Sequence, residues 1–502
     1  MFTKLSLLKK NILANYTNQF FAAFLNILAL PLYMKYLGPS QFGLIGIFSV
    51  LQLWLALLDG GMSQTLSREI AYCRNDKQLF KQFSILLRSI ESILFLISII
   101  FMIFMSYGSN QLANIWIGDS ELPLSVTSIC LKLMVFQICF KFFVAIYKSS
   151  LIGLEDQVAL SLISITLNLI RYLGGLILLI FITNDVVQFF QYQLVVAILE
   201  ASFFMLRFYR VTKGLIQIEK IITIDLIELK RIGPFALGIF YSTLLWMLMT
   251  QLDKVIFSST LSLREFGYLS VLTLLASIVL QLSAPITQAF IPRFTRAIAD
   301  NQDDIFKAEY SKCTRTLTIM VTLVFCILIY HSDYLLLLMT DNNDLVEWSS
   351  NILIYYTAGN IFIVIAGMQY LLQYSLGNLS WHIKGVTISF LIQTPAIIYI
   401  AINYGVEACA MTFMIIRLIW FLAWTWFIHN KFIRNYHMKW LLKDVIINFL
   451  IVLIGFYFIN LLMPKDYDQF FLYHFFSITF SIGLASILML VFYKYEGKFL
   501  KL

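Results

Sequence analysis

Apolar residues along the chain gather into long runs broken by short polar stretches. Runs of bilayer-crossing length lie at 11–34, 41–66, 83–106, 124–150, 158–182, 186–206, 233–257, 265–291, 316–331, 349–374, 385–403, 406–428, 444–463 and 470–493. A hydrocarbon core about 30 Å thick takes roughly 20 helical residues, so the pattern predicts an all-α polytopic membrane protein of about 14 transmembrane helices. An even number of spans returns both termini to one face. The polar link 207–232 leaves six spans before it and eight after. Its mixture of Ile216, Ile218, Ile221 and Ile222 with Lys213, Glu219, Lys220, Glu228 and Lys230 predicts an amphipathic helix lying at the interface.

An offset of 224 residues aligns Gln41-Phe42-Gly43 with Glu265-Phe266-Gly267 and Ser63-Gln64 with Thr287-Gln288, so 37–69 matches 261–293 in hydropathy and at a few identities. Because six spans separate the two stretches, the repeats run parallel and are related by an axis along the membrane normal. The expected organisation is an N-terminal six-helix lobe (1–210), a cytoplasmic amphipathic linker (211–232), a C-terminal six-helix lobe (233–436) and an additional helix pair (437–502). The two lobes are then related by a pseudo-two-fold axis.

Composition sharpens the reading. Of 502 residues, 60% are apolar and 13% charged, against roughly 25% charged in a soluble domain, which excludes a water-soluble enzyme. The net charge of +8 suggests nucleic acid at first sight, but the basic residues are sorted by side. Connections 68–82, 207–232, 293–315 and 429–443 are rich in Lys and Arg. Connections 107–123 and 332–348 carry Asp119, Glu121, Asp333, Asp341, Asp344 and Glu347 and no Lys or Arg. Of the 36 basic residues only Lys35, Lys254, Arg264 and Lys465 fall on the acidic side. By the positive-inside rule the basic loops and both termini are cytoplasmic.

The outer connections are too short for a catalytic domain, and no GxxxxGK[ST] segment is present for nucleotide hydrolysis. The expectation is a non-enzyme with no catalytic residues, no cofactor and no nucleic-acid partner. The six cysteines form no CxxC pair and no Cys/His group with metal spacing, so they read as small buried hydrophobes and no metal site is expected. Lys4, Lys9 and Lys10 precede an apolar run that carboxamides interrupt, which reads as an uncleaved first span.

Groups that do not belong in lipid mark the candidate site, since an ionised side chain near mid-membrane costs about 2.5–3.5 kcal/mol on insertion scales. In the first span Asn11, Asn15, Asn18, Gln19 and Asn26 share an arc of about 100°; in the fourth, Gln137, Lys141 and Lys148 share about 60°, with Lys132 opposite; in the fifth, Ser164, Asn168 and Arg171 share about 80°. Lys132 and Lys148 can snorkel to the interfaces, but Lys141 is too central. The deep cations Arg88, Lys141 and Arg171, with Lys132 and Lys148 flanking, face Asp59 and Glu91, which leaves the first lobe net positive and suited to concentrating an anion.

Two readings stand for these groups. The carboxamides either hydrogen-bond neighbouring helices or line a wet cavity for sugar hydroxyls. Lys141 and Arg171 are either buried in salt bridges to Asp59 or Glu91 or exposed to such a cavity. In the second half, Gln281 and Gln288 share a face, as do Gln369 and Gln373, and Arg417 is the anion-binding candidate. Asp59 precedes Gly60-Gly61, where a helix can bend or unwind, and Asp59 and Glu91 are candidates for ion coupling.

The stretch 31–69, with LPLYMKYLGPSQFGLIGIF (30–48) and LLDGGMSQTLSRE (57–69), resembles the N-terminal signature of the polysaccharide-transport flippases. These are the Wzx-type O-antigen translocases of the multidrug/oligosaccharidyl-lipid/polysaccharide exporter superfamily. The matching residues are Pro31, Leu37, Gly38, Phe42, Gly43, Asp59, Gly61, Arg68 and Glu69. The resemblance implies a V-shaped pair of helical bundles around a central cavity in the bacterial inner membrane. Such a protein moves undecaprenyl-diphosphate-linked oligosaccharide from the cytoplasmic to the outer leaflet by alternating access, with membrane lipid and a downstream polymerase and chain-length machinery as partners.

Burial and charge, not the resemblance, nominate Lys141, Arg171, Arg417, Arg88, Asn15, Asn18, Asn26, Asn168, Gln281 and Gln288 for the substrate. Two other functions stay open. A cation-coupled multidrug exporter of the same superfamily would have an anionic cavity. A membrane polysaccharide polymerase or glycosyltransferase would need a large outer loop, and the acidic residues Asp341 and Asp344 are its nearest counterpart.

Overall fold

The computed structural model describes residues 7–73, 77–117, 121–213, 224–349 and 351–462, with positions 479 and 483. Nearly all of the expected span 470–493 and residues 214–223 of the 211–232 linker lie outside the described residues, as does the Asn11 side chain. All regular structure among the described residues is helical. In chain order the elements are α1 (Leu7–Leu37), α2 (Pro39–Leu58), α3 (Met62–Cys73), α4 (Lys77–Trp116), α5 (Leu124–Gly153), α6 (Gln157–Leu169), a π-helical turn (Ile170–Gly174), α7 (Gly175–Phe181), α8 (Val186–Val211) and α9 (Leu226–Thr260). They continue as α10 (Leu263–Ala276), α11 (Ile278–Ala299), α12 (Asp303–Tyr330), α13 (Ser332–Thr340), α14 (Asn343–Ser349), α15 (Ile352–Ser375), α16 (Ser380–Phe432), α17 (His437–Trp440), a second π turn (Leu441–Ile446) and α18 (Ile447–Leu462).

Among the described residues, eleven stretches of helix are long and apolar enough to cross a membrane, against the fourteen spans expected from hydropathy. The protein is an all-α, multi-pass membrane protein. The 53-residue α16 is interrupted at Gly405, whose φ of 80° and ψ of −168° leave the helical region, so 385–403 and 406–428 are separate helical segments. The apolar run 41–66 is divided at Asp59-Gly60-Gly61 into α2 and α3.

Contacts divide the chain into two compact units, Met1–Ser270 and Val271–Leu502. In the first, α5 is the central helix and packs on α8, α4, α3 and α2. This unit extends past the 1–210 lobe expected from hydropathy and includes α9, for local reasons. Asp225 caps α9 by accepting from the Ile227 and Glu228 amides at 2.9 and 3.1 Å, which starts the helix before residue 233. Its own amide donates to Ser89 Oγ on α4 at 2.9 Å. Arg231 pairs with Glu69 of α3 at 2.7 Å, and Arg68 lies 4.4 Å from the Phe235 ring centroid.

The first turns of α2 and α10 cross closely within this unit. A Cβ on Gly43 would strike the Leu263 carbonyl oxygen, one on Gly46 would strike Ser270 Oγ, and one on Gly267 would lie 2.5 Å from the Pro39 carbonyl oxygen. Residues 39, 43 and 46 are the 224-residue counterparts of 263, 267 and 270, so each helix meets the other through matching positions. Small residues permit this backbone approach.

In the second unit the core gathers Phe294, Tyr310, Met368, Phe421 and Trp440. Trp440 Nε1 donates to Thr314 Oγ1 at 2.8 Å, and the buried Asp444 accepts from Arg315 Nε and Ser311 Oγ, each at 2.6 Å. These bonds hold the second π turn against α12.

The crossing of α2 and α10 makes a direct prediction. Gly43→Leu or Gly267→Leu should destabilise the solubilised protein by about 1–3 kcal/mol through overpacking, seen as a lower melting temperature. Gly367→Leu, with open space around its Cβ position, should leave the melting temperature unchanged.

Candidate functional site

Within the first unit lies a cavity of about 450 Å³, in the size range of small-molecule sites. One wall is a face of α5, where Ile138, Lys141, Phe142, Ala145 and Ser149 recur at helical spacing. The end of α2 and the start of α3 supply Gln52, Leu57, Asp59, Ser63 and Gln64, and α9 supplies Ile239, Phe240 and Thr243. The glycines between α2 and α3 make this wall. Gly60 and Gly61 have φ of 58° and 76°, left-handed values that a side chain would strain. A Cβ on Gly61 would lie 2.7 Å from the Ala236 carbonyl oxygen of α9, so the break both turns the chain and lets α9 approach.

Asp59 sits on that break. Its carboxylate accepts from Ser63 Oγ at 2.6 Å and from the Ser63 amide at 3.2 Å, which caps α3 and fixes the carboxylate on the cavity wall. Lys141 lies near the middle of the 30-residue α5, twelve residues (about 18 Å at 1.5 Å per residue) from Gly153. Among the described residues Lys141 forms no ion pair; its Nζ lies 5.3 Å from the Phe48 ring centroid. Lys141 therefore brings an amine to the cavity wall at mid-helix, and Asp59 brings a carboxyl group.

Arg171 follows a different course from the expected one. It stands on the first π turn, whose carbonyls are taken up by side chains from two other helices. Tyr33 OH of α1 donates to the Tyr172 oxygen at 2.7 Å, Tyr192 OH of α8 donates to the Ile170 oxygen at 2.5 Å, and Gln193 Nε2 donates to the Arg171 oxygen at 3.3 Å. Glycines at 174 and 175 make room for the two tyrosine hydroxyls. Such single π turns recur at functional positions, because the extra residue re-aims a side chain.

The Arg171 guanidinium points to Glu200 of α8, Nη2 to Oε2 at 2.5 Å, with the side chains 16% and 13% exposed. The expected partners, Asp59 and Glu91, are not used. Glu200 was missing from the inventory of deep charges although it lies inside the run 186–206, where a lone carboxylate is the same kind of signal as Lys141. Correcting for it, Lys141, Lys148 and Arg171 face Glu200 and Asp59, and the surplus remains positive. Lys141 and Lys148 both act electrostatically on Glu200 and Arg171.

The other nominated residues do not converge on this cavity. Arg88 pairs with Glu91 at 2.6 Å, and Glu91 also accepts from Tyr147 OH at 2.7 Å and Tyr209 OH at 3.3 Å, so the carboxylate is fully engaged away from the cavity. Asn15, Asn18, Asn26 and Asn168 lie on α1 and α6 and do not line it; Asn15 accepts from Gln19 at 3.4 Å and Asn18 is buried. In the second unit Arg417 is buried, donates to Asn360 Oδ1 at 2.9 Å and stacks 3.1 Å from the Phe413 centroid. Asn360 in turn donates to the Ala276 carbonyl at 2.9 Å, where α10 ends. Gln281 donates to Ser277 at 2.9 Å, and Gln288 is exposed.

A family model described as polysaccharide biosynthesis protein matches residues 8–298, which is more than half of the chain. The chain belongs to this family. The matched region contains the whole cavity, and within it Gly43, Asp59, Gly61, Arg68 and Glu69 form the helix crossing, the break and the clamp on α9 described above. Solved structures of similar fold include the lipid II flippase MurJ in an inward closed conformation, with a TM-score of 0.68 and 17% identity over 96% of this chain and 98% of that one. A multidrug-resistance MATE family transporter of the MOP superfamily in its inward-facing conformation gives 0.64 and 14% over 82% and 96%. The MATE multidrug transporter DinF-BH gives 0.62 and 14% over 86% and 96%. The chain thus shares the fold of these solved transporters. A search of curated proteins finds no match.

Water access to the cavity is testable by thiol labelling. In a variant whose six cysteines are replaced, Lys141→Cys and Ser149→Cys should react with a water-soluble methanethiosulfonate. Met134→Cys, on a fully buried position of the same helix, should not react.

Proposed function

We propose that the protein is a flippase. It carries undecaprenyl-diphosphate-linked oligosaccharide units, of the kind used for O-antigen or a similar surface polysaccharide, from the cytoplasmic to the outer leaflet of a bacterial inner membrane. The observation that carries this reading is Lys141, an amine at mid-helix on the wall of a mainly apolar cavity that also carries Gln52, Asp59, Gln64 and Ser149, with no ion-pair partner among the described residues. Membership of a polysaccharide biosynthesis family and a fold shared with a lipid II flippase support it.

The energetic problem of such transport is the headgroup. A polyprenyl chain gains about 0.8 kcal/mol per CH₂ by staying in hydrocarbon, so only the diphosphate and sugars need shelter. With the cytoplasm negative, outward movement of an anion is favoured by roughly 2.3 kcal/mol per charge per 100 mV. The barrier that remains is desolvation, and a fixed cation in a wet cavity lowers it. Lys141 receives the phosphate, while Gln52, Gln64, Ser149 and Thr243 offer hydrogen bonds to sugar hydroxyls.

The reciprocal meeting of Gly43 with Leu263 and Gly267 with Pro39 supports a parallel repeat with 1–210 and 233–436 as its halves, the arrangement that rocking between two access states requires. The sorting of Lys and Arg supports a cytoplasmic position for both termini and the basic loops. Asp59, on the cavity wall, is the group for a coupling cation or proton, and a polymerase and chain-length machinery would take the product outside. A cavity carrying Asp59 beside Lys141 is less suited to a drug exporter that binds cations alone.

Lys141→Gln should abolish surface polysaccharide and leave lipid-linked units on the cytoplasmic side, at unchanged membrane abundance, while Lys141→Arg retains most of the activity. Normal polysaccharide in Lys141→Gln would remove this residue from the mechanism. Units exported but unpolymerised would point to a polymerase instead.

A further inference from the structure

Glu200 is the part of this cluster that the transport reading leaves without a role. It lies on α8, behind the cavity wall, and Arg171 reaches it from the π turn at 2.5 Å. Lys141 and Lys148 stand on α5, which packs on α8: Gln137 Nε2 donates to the Phe190 oxygen at 3.1 Å and Lys148 Nζ lies 6.0 Å from the Phe204 ring centroid, so Glu200 falls on the stretch of α8 that these lysines face. Three cations from two elements therefore converge on one anion, and one of the three, Lys141, also faces the cavity.

Charge balance explains why such an anion is needed. Three cations in one buried neighbourhood repel each other unless an anion is present, and the repulsion is strongest when the cavity holds no substrate. A phosphate that enters meets Lys141 first and then meets the field of Glu200, which weakens its hold. We propose that Glu200 is a resident counter-anion: it neutralises the cation cluster when the cavity is empty and competes with the substrate's diphosphate for Lys141 when it is filled. This inference rests on the flippase reading of the cavity. Its consequence is that binding is held below its maximum so that the headgroup can leave on the far side, since a site that holds its cargo too tightly releases it slowly.

The geometry around Arg171 makes the idea testable by substitution. Tyr33, Tyr192 and Gln193 hold the π turn through its backbone carbonyls, so the turn does not depend on the Glu200 charge. Glu200→Gln keeps the shape and a hydrogen-bonding oxygen but removes the negative charge.

The experiment measures binding of farnesyl diphosphate to the full chain in nanodiscs, together with surface polysaccharide in cells. Glu200→Gln should bind the probe about tenfold more tightly than the unmodified chain, in the range of ordinary coupling between sites, and should lower the polysaccharide yield. Glu200→Asp, which keeps the charge but draws it back by one methylene, should shift binding in the same direction to a smaller extent, and it carries the test should Glu200→Gln fail to fold. Unchanged or weaker binding in these variants, with binding still lost in Lys141→Gln, would overturn the counter-anion role and leave the flippase reading standing. Undiminished binding in Lys141→Gln would instead overturn the reading of the cavity on which the proposal rests.

Discussion

A charged side chain carried on a membrane-spanning helix has two ways to exist: an opposite charge in contact, or water. The first solution is used repeatedly in this protein. Arg88 is held by Glu91, Arg171 by Glu200 and Arg315 by Asp444, and the buried Arg417 rests on Asn360 and the face of Phe413. Removing one member of such a buried pair costs about 3–5 kcal/mol, so the Arg88–Glu91 and Arg315–Asp444 pairs are commitments of the fold. Lys141 has no such partner among the described residues and stands on a cavity wall. The functional reading depends on that difference.

The cavity exists because the chain breaks where it does. Between α2 and α3 two left-handed glycines turn the backbone, Asp59 caps the new helix, and the absence of a Cβ at Gly61 lets α9 close the third wall. Arg68 and Glu69 then hold the start of α9 through Phe235 and Arg231. The residues that carry the family resemblance are thus mostly architectural: they set backbone turns, close crossings and a clamp. Lys141, which faces the space they enclose, lies outside the motif. A shared scaffold with separately placed cavity groups accounts for relatives at 14–17% identity with one fold.

Hydropathy made the spans legible because a bilayer imposes one length on every helix, and the break at Asp59-Gly60-Gly61 was legible because paired glycines have few other uses there. What escaped depends on contacts distant in sequence. The partner of Arg171 lies 29 residues away on another helix, and helical phase within one span carries no information about it, although a lone carboxylate in 186–206 was a visible clue. The π turn leaves no periodic signature; its cause is three side chains arriving from α1 and α8. The start of α9 had a local signal in Asp225 followed by Glu228 three residues on, a capping pattern that lies upstream of the apolar run. The carboxamide stripe of α1 was real as a pattern, yet Asn15, Asn18 and Asn26 lie away from the Lys141 cavity, because a shared face does not specify what that face meets.

The most direct test of the central claim is an experimental structure of the full chain with a polyprenyl-diphosphate-linked sugar bound. The account predicts a phosphate oxygen within hydrogen-bonding distance of Lys141 Nζ, in the space walled by α2, α3, α5 and α9. Phosphate bound elsewhere, with Lys141 enclosed in dry protein, would contradict it.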